Sequence, residues 1–259
     1  MIIPFPLLAL LCVICAPILF FQAKRVRQRV PNLPEAKNPS GQISQINTES
    51  FNLLVLGEST MAGVGIKDHK NGFASSLASY LSNCLSTSVN WEVQARSGFT
   101  TGEITKELLP LISMETVDLI VIGTGANDAF SLHSPGRFAR DIKKMLNALK
   151  GVYPHSPIVF INMPPISYFP AFTKLMQYCI GTWVKHNGLA LSKLIQEYEQ
   201  VFYMKEDIIP EDWFDKYENF GNINDMFSDG VHPSKTTYKL WAKECFSFIL
   251  TNHVLQKQT

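Results

Sequence analysis

The chain has 259 residues, a formal net charge of +1 and 46% hydrophobic residues. That size suits one α/β domain with an appendage, and the apolar content allows a sizeable core. Near-neutrality, with no basic stripe in the body of the chain, excludes the electrostatic footprint of a nucleic-acid binder. Of the five cysteines, Cys12 and Cys15 lie in an apolar N-terminus. Cys84, Cys179 and Cys245 are scattered, which predicts free thiols rather than a disulfide framework or a metal site.

Residues 2–21, "IIPFPLLALLCVICAPILFF", carry no charge. At about 1.5 Å rise per residue such a run spans the roughly 30 Å hydrocarbon core, so a transmembrane anchor over 1–22 is expected. Pro17 would kink it. Lys24, Arg25, Arg27 and Arg29 follow the apolar run instead of preceding it, and no small-residue cleavage site is present. That order predicts an uncleaved helix with its basic flank, and the domain behind it, on the cytoplasmic side; export remains the alternative. Residues 23–50 read as a basic flank and a polar tether.

From Phe51 strands and helices alternate. Expected strands are "FNLLVLG" (51–57), "VNWEVQA" (89–95), "VDLIVIGTG" (117–125), "SPIVFINMPP" (156–165) and "QVFYMK" (200–205). Helices are expected over 73–85, 100–112, 134–154 and 182–199, and from Pro233 onward, with an irregular acidic-aromatic segment over 206–228. Residues 51–252 thus form one domain and 253–259 a tail. Apolar strands alternating with helices imply a parallel sheet covered on both faces. Ligands bind such sheets outside the carboxyl ends of the strands.

The loops at those ends carry the chemistry. "LGESTMAGVG" fits neither phosphate-loop pattern: Ala62 stands where a Walker glycine is needed, and no lysine precedes Lys67. As a nucleophile turn, it puts Ser59 directly after the first strand. A serine hydroxyl needs a base. In "DGVHP", Asp229 precedes His232 by three residues, so the carboxylate can fix the imidazole across one tight turn made at Gly230. Oxyanion donors are available from Ser59 N–H, from the backbone at Gly98 in "RSGFTTG", and from the Asn127 amide in "GTGAND". Asp128 reads as a capping or solvated residue. "NFGNINDMFSDG" lacks the order of a calcium loop. Tyr168, Phe169, Phe172, Trp213 and Phe214 are candidates for an acyl pocket or for packing.

Together, "GES59T", Gly98 in "SGFTTGE", "GAN127D" and "D229GVH232P" resemble the four blocks of the SGNH/GDSL hydrolase family. The resemblance covers about Phe51 to Leu250. It implies a flavodoxin-like three-layer α/β/α sandwich with a five-stranded parallel sheet, order 2-1-3-4-5. It implies catalysis by Ser59, His232 and Asp229 through an acyl-serine, an oxyanion hole from Ser59, Gly98 and Asn127, and no metal or organic cofactor. The family's usual aspartate before the serine is Glu58 here, which puts the hydrogen bonding at that turn in question. The expected substrate is a carboxylic ester or thioester, with lipid-derived esters favoured by the anchor. A sugar or peptidoglycan deacetylase, and a catalytically silent membrane-anchored acyl-ligand-binding protein, stand as alternatives. The expected partners are the ester substrate and, through the N-terminal helix, a membrane; the oligomeric state is left open.

Overall fold

Runs rich in Val, Ile and Leu assemble into a six-stranded sheet in a computed structural model, which describes residues 2–46 and 49–255. The end of the expected tail, 256–259, and residues 47–48 of the expected tether lie outside the described residues. In chain order the elements are α1 (Phe5–Ile14), α2 (Ala16–Arg29), β1 (Ser40–Ile43), β2 (Ser50–Gly57), α3 (Phe73–Leu85) and β3 (Ser88–Ala95). Then come α4 (Thr101–Glu103), β4 (Leu119–Gly123), α5 (Ala126–Phe130), α6 (Pro135–Val152) and β5 (Ile158–Phe160). The chain ends with α7 (Lys174–Leu194), β6 (Val201–Tyr203), α8 (Pro210–Lys216) and α9 (Lys235–Thr251).

The sheet order is β1-β3-β2-β4-β5-β6. All pairs are parallel except β1 with β3. The five parallel strands follow the expected 2-1-3-4-5 order, but the sheet is not purely parallel and not five-stranded. Its sixth strand comes from the segment expected to be a tether: Ser40–Ile43 pairs antiparallel with Val89–Glu92. A polar, half-solvated edge strand gives no apolar run to detect.

Side chains alternate across the sheet. On β2, Leu53 and Val55 pack with α3 and α9, whereas Leu54 and Leu56 pack with α6. Leu119 to Ile122 of β4 are fully buried on both faces, as a central parallel strand requires. Each such side chain contributes about 1.5–3 kcal/mol of hydrophobic stabilisation.

Other boundaries shift for local reasons. The expected helix over 100–112 survives only as α4, continued by a π turn (Ile104–Leu108) and a 3-10 turn (Leu109–Leu111) holding Pro110. Helix α7 starts eight residues before the expected 182, because Thr173 caps it by accepting from Met176 N. Segment 206–228 contains α8 and a 3-10 turn closed by an Asn222–Asp225 capping box. Ser234 caps α9, so Pro233 precedes that helix and does not open it.

The expected single transmembrane helix is not formed. Among the described residues no one helix is long and apolar enough to cross a membrane, and α1 and α2 meet at a 75° bend. The bend falls at Cys15, between the two helices and just before Pro17. One face of α1 is buried against the domain through Leu8 and Cys12, with the Phe5 ring edge-on to Trp183 of α7.

Candidate active site

The residues singled out from the sequence lie on four loops at one end of the sheet. Gly57 closes β2, pairing with Ala95 of β3 and Gly123 of β4. Ser59 therefore follows the strand directly, on a turn closed by Ala62 N–H donating to Glu58 O and Val64 N–H donating to Ser59 O. Gly98 lies on the loop after β3, Asn127 in the first turn of α5 after β4, and His232 on the loop leading to α9.

Asp229 and His232 form a hydrogen-bonded pair. His232 Nδ1 lies 2.8 Å from Asp229 Oδ2, and the backbone N–H groups of Val231 and His232 donate to Asp229 Oδ1 at 2.9 and 2.8 Å. The aspartate side chain is fully buried, while the imidazole remains partly open to solvent. Burial alone would raise the Asp229 carboxyl; the hydrogen bonds from the His232 ring and backbone outweigh it and hold the group below its ordinary value. With Nδ1 committed to the carboxylate, Nε2 is the ring nitrogen left to exchange protons. Gly230, at φ +85°, makes the bend, and a Cβ there would meet Ala171 N at 3.0 Å. Ala171 N–H also donates to Gly230 O, bracing the loop against the segment after β5.

Glu58 explains its own presence beside the serine. Its side chain is buried, and its two oxygens accept from the N–H groups of Ala126 and Asn127, each at 2.9 Å. These are the first two residues of α5, so the carboxyl ties the serine turn to the start of that helix. Asn127 Nδ2 in turn donates to Phe99 O at 3.0 Å. These three bonds link the loops of Ser59, Asn127 and Gly98. Gly98 has φ +85°, and no atom lies within 4 Å of the position a Cβ would take. The side of Gly98 that a Cβ would occupy thus borders open space. Burial pushes the Glu58 carboxyl up to about 8, with the two N–H donors opposing that rise and nearby Asp128 adding to it.

Asp128 is not solvated. It is fully buried and accepts from Thr101 N at 3.0 Å, Thr101 Oγ1 at 2.7 Å and, through Oδ1, the His133 ring at 3.0 Å. This second Asp–His pair escaped sequence reasoning, because the five-residue spacing becomes a contact only after α5 ends. Asp128, His133 and Asp141 bring possible metal-ligand atoms within 4.8 Å of one another. Both Asp128 oxygens are already engaged, and Asp141 faces Arg137 and Lys144. Asp128 and His133 are a hydrogen-bonded pair, and Asp141 is paired with the cations of its own helix.

A narrow apolar cavity of about 20 Å³ is lined by Thr60, Val231, Pro164, Pro165, Phe169 and their neighbours. The residue after Ser59 and the residue before His232 thus share a wall of one space. A larger cavity of about 240 Å³ lies beside it, between the Pro164–Tyr168 segment and α7. The two share Pro164, Pro165 and Ile208. Of the aromatic candidates, Tyr168 lines the larger cavity and Phe169 the narrower one. Phe172 packs on Phe130 and Phe169, while Trp213 and Phe214 pack on Phe220.

Comparison with known proteins finds relatives in both sequence and fold. A model of the GDSL-like Lipase/Acylhydrolase family matches residues 55–240. An arylesterase from Vibrio mimicus is 25% identical over 218 residues, covering 82% of this chain and 94% of that protein. The crystal structure of TesA superposes with a TM-score of 0.57 at 18% identity, covering 76% of this chain and 97% of the other. The acetyl xylan esterase AlAXEase superposes with a TM-score of 0.57 at 12% identity, covering 77% and 100%.

Proposed function

The chain belongs to the GDSL-like lipase/acylhydrolase family, a family of serine ester hydrolases, and we propose that it cleaves carboxylic esters or thioesters through an acyl-Ser59 intermediate. The observation that carries this reading is the buried Asp229 bound to His232 Nδ1, on a loop that shares a cavity wall with the serine turn. In the proposed reaction His232 Nε2 takes the Ser59 proton as the hydroxyl oxygen attacks the ester carbonyl. Asp229 holds the tautomer and stabilises the imidazolium. The N–H groups of Ser59 and Gly98 and the Asn127 amide face the developing oxyanion. Collapse releases the alcohol or thiol, protonated by His232. Water, activated by the same imidazole, then hydrolyses the acyl-serine.

Lipid-derived acyl groups are the favoured substrates, supported by the apolar narrow cavity beside the serine turn, which meets a larger cavity of mixed lining at Pro164, Pro165 and Ile208. A second reading, removal of acetyl groups from sugar esters, is favoured by the small size of the cavity nearest Ser59. Initial rates on p-nitrophenyl acetate, butyrate and octanoate separate the two. Rates rising with chain length support the lipid reading, and a steep fall after acetate supports the deacetylase. On the preferred ester, Ser59→Ala lowers turnover at least about 10³-fold without unfolding the domain. Turnover within tenfold of wild type would reject Ser59 as the nucleophile, and absence of turnover by the wild type on all three esters would favour a binding protein.

A further inference from the structure

The face of α1 and α2 turned away from the domain is apolar, and nothing in the mechanism uses it. Leu7, Leu10, Val13, Ile14, Ile18, Phe20 and Phe21 are each between 54% and 70% exposed. These seven fall within fifteen residues, whereas exposed large hydrophobics elsewhere are spread thinly along the chain. A contiguous patch of this kind on a water-soluble surface marks a site that something covers.

Three features say what covers it. First, the patch runs into Lys24, Arg25, Arg27 and Arg29, all exposed at the end of α2, and the first acidic residue of the chain is Glu35. An apolar stripe joined to an unopposed cationic end is complementary to a leaflet with acyl chains below anionic headgroups. Second, the elbow is clamped to the domain at both arms. At α1 and the residues just before it, the Phe5 ring packs on Trp183, the Ile3 carbonyl meets His186 Nε2 at 2.9 Å, and Cys12 is buried in the same apolar cluster as Cys179 of α7. On α2, Thr173 Oγ1 donates to Gln22 Oε1 at 2.6 Å. Third, the 75° bend makes the pair a poor transmembrane rod but gives it two short arms that can lie in one plane.

We propose that the α1–α2 elbow is a monotopic docking element: it inserts its exposed apolar face into one leaflet of an anionic membrane while its inner face stays on α7. The catalytic domain then rests on the same side as the basic residues, and no segment crosses the bilayer. Ile2, just ahead of the elbow, also lines the 240 Å³ cavity.

The test uses the full chain, exchanged from detergent onto vesicles of phosphatidylcholine alone or mixed with phosphatidylglycerol. Binding is read by flotation. Copper–phenanthroline oxidation followed by peptide mapping reads whether Cys12 still meets Cys179. The expected result is salt-sensitive binding to the anionic vesicles, weakened at least about tenfold by R25E/R27E and by F20S/F21S, with both variants retaining the wild-type circular dichroism. The Cys12–Cys179 disulfide forms to the same extent on vesicles and free in detergent. Loss of the disulfide on vesicles would mean that α1 leaves α7 to span the bilayer, and its absence in the free protein would mean that α1 is never docked. Either overturns the proposal. Equal binding to neutral and anionic vesicles also overturns it, as does failure to bind any vesicle with dimerisation through F20/F21.

Discussion

Glu58→Ala is the perturbation that most directly tests how the site is held together. The substitution removes both acceptors from the N–H groups of buried Ala126 and part-buried Asn127. Orphaning buried donors costs about 1–3 kcal/mol each, so about 2–6 kcal/mol before relaxation. A second effect runs the other way with pH. Below its ordinary value of 4.5 the carboxyl is neutral in both states; above it the unfolded chain ionises, while burial keeps the folded group neutral up to about 8. The folded state then binds more protons, so wild-type stability falls as pH rises through this window. At about 1.4 kcal/mol per pH unit, the gap between 4.5 and about 8 bounds that loss at about 5 kcal/mol. The alanine variant has no such titration. Its penalty relative to wild type is therefore largest near about pH 5 and shrinks toward about pH 8. Urea unfolding of both proteins across that range measures it. A penalty that is flat or grows with pH would show that Glu58 is ionised in the folded state, with the helix N–H donors outweighing burial. Activity supplies an independent reading. Loosening Asn127 lowers kcat by about 10²–10³ with little change in KM, because the amide meets the oxygen only as charge develops.

Gly98→Ala tests the oxyanion loop. Its φ of +85° with open space around the Cβ position limits the stability cost to about 1–2 kcal/mol of backbone strain. A loss beyond about 4 kcal/mol, read by thermal unfolding, would require a clash of the kind an overpacked site shows. Asp229→Asn leaves the fold but lowers kcat by about 10³–10⁴, because an amide cannot hold the imidazole in the required tautomer. The same substitution has a signature in acid. A carboxyl held below its ordinary value stabilises the fold above that value and loses this effect as pH falls through the folded one. The wild type should therefore lose stability in acid more steeply than the variant, as urea titrations at low pH would show.

Much of the fold can be read along the chain because buried parallel strands are written as apolar runs. Leu53–Leu56, Leu119–Ile122 and Ile158–Phe160 all fall inside the expected strands. The strand Ser40–Ile43 escapes, since its side chains are mostly solvated and its pairing partner lies about fifty residues away. The N-terminal helix pair misleads for the opposite reason. Composition counts twenty apolar residues but does not reveal that Leu8 and Cys12 face α7. At the site, Ser59, Asp229 and His232 stand out because spacing and loop position are local properties. The links that hold the loops together are not local. Glu58 reaches Asn127 across 69 positions, and Thr101 reaches Asp128 across 27, so neither leaves a mark in sequence spacing.

The central claim, that Ser59 attacks as an alkoxide equivalent drawn out by His232 and Asp229, is tested most directly with a fluorophosphonate probe followed by peptide mapping. The account predicts one adduct per chain, on the Ser59 hydroxyl, formed far more slowly after His232→Ala and absent after Ser59→Ala. Labelling at another residue, or undiminished labelling in the Ser59→Ala protein, would contradict it.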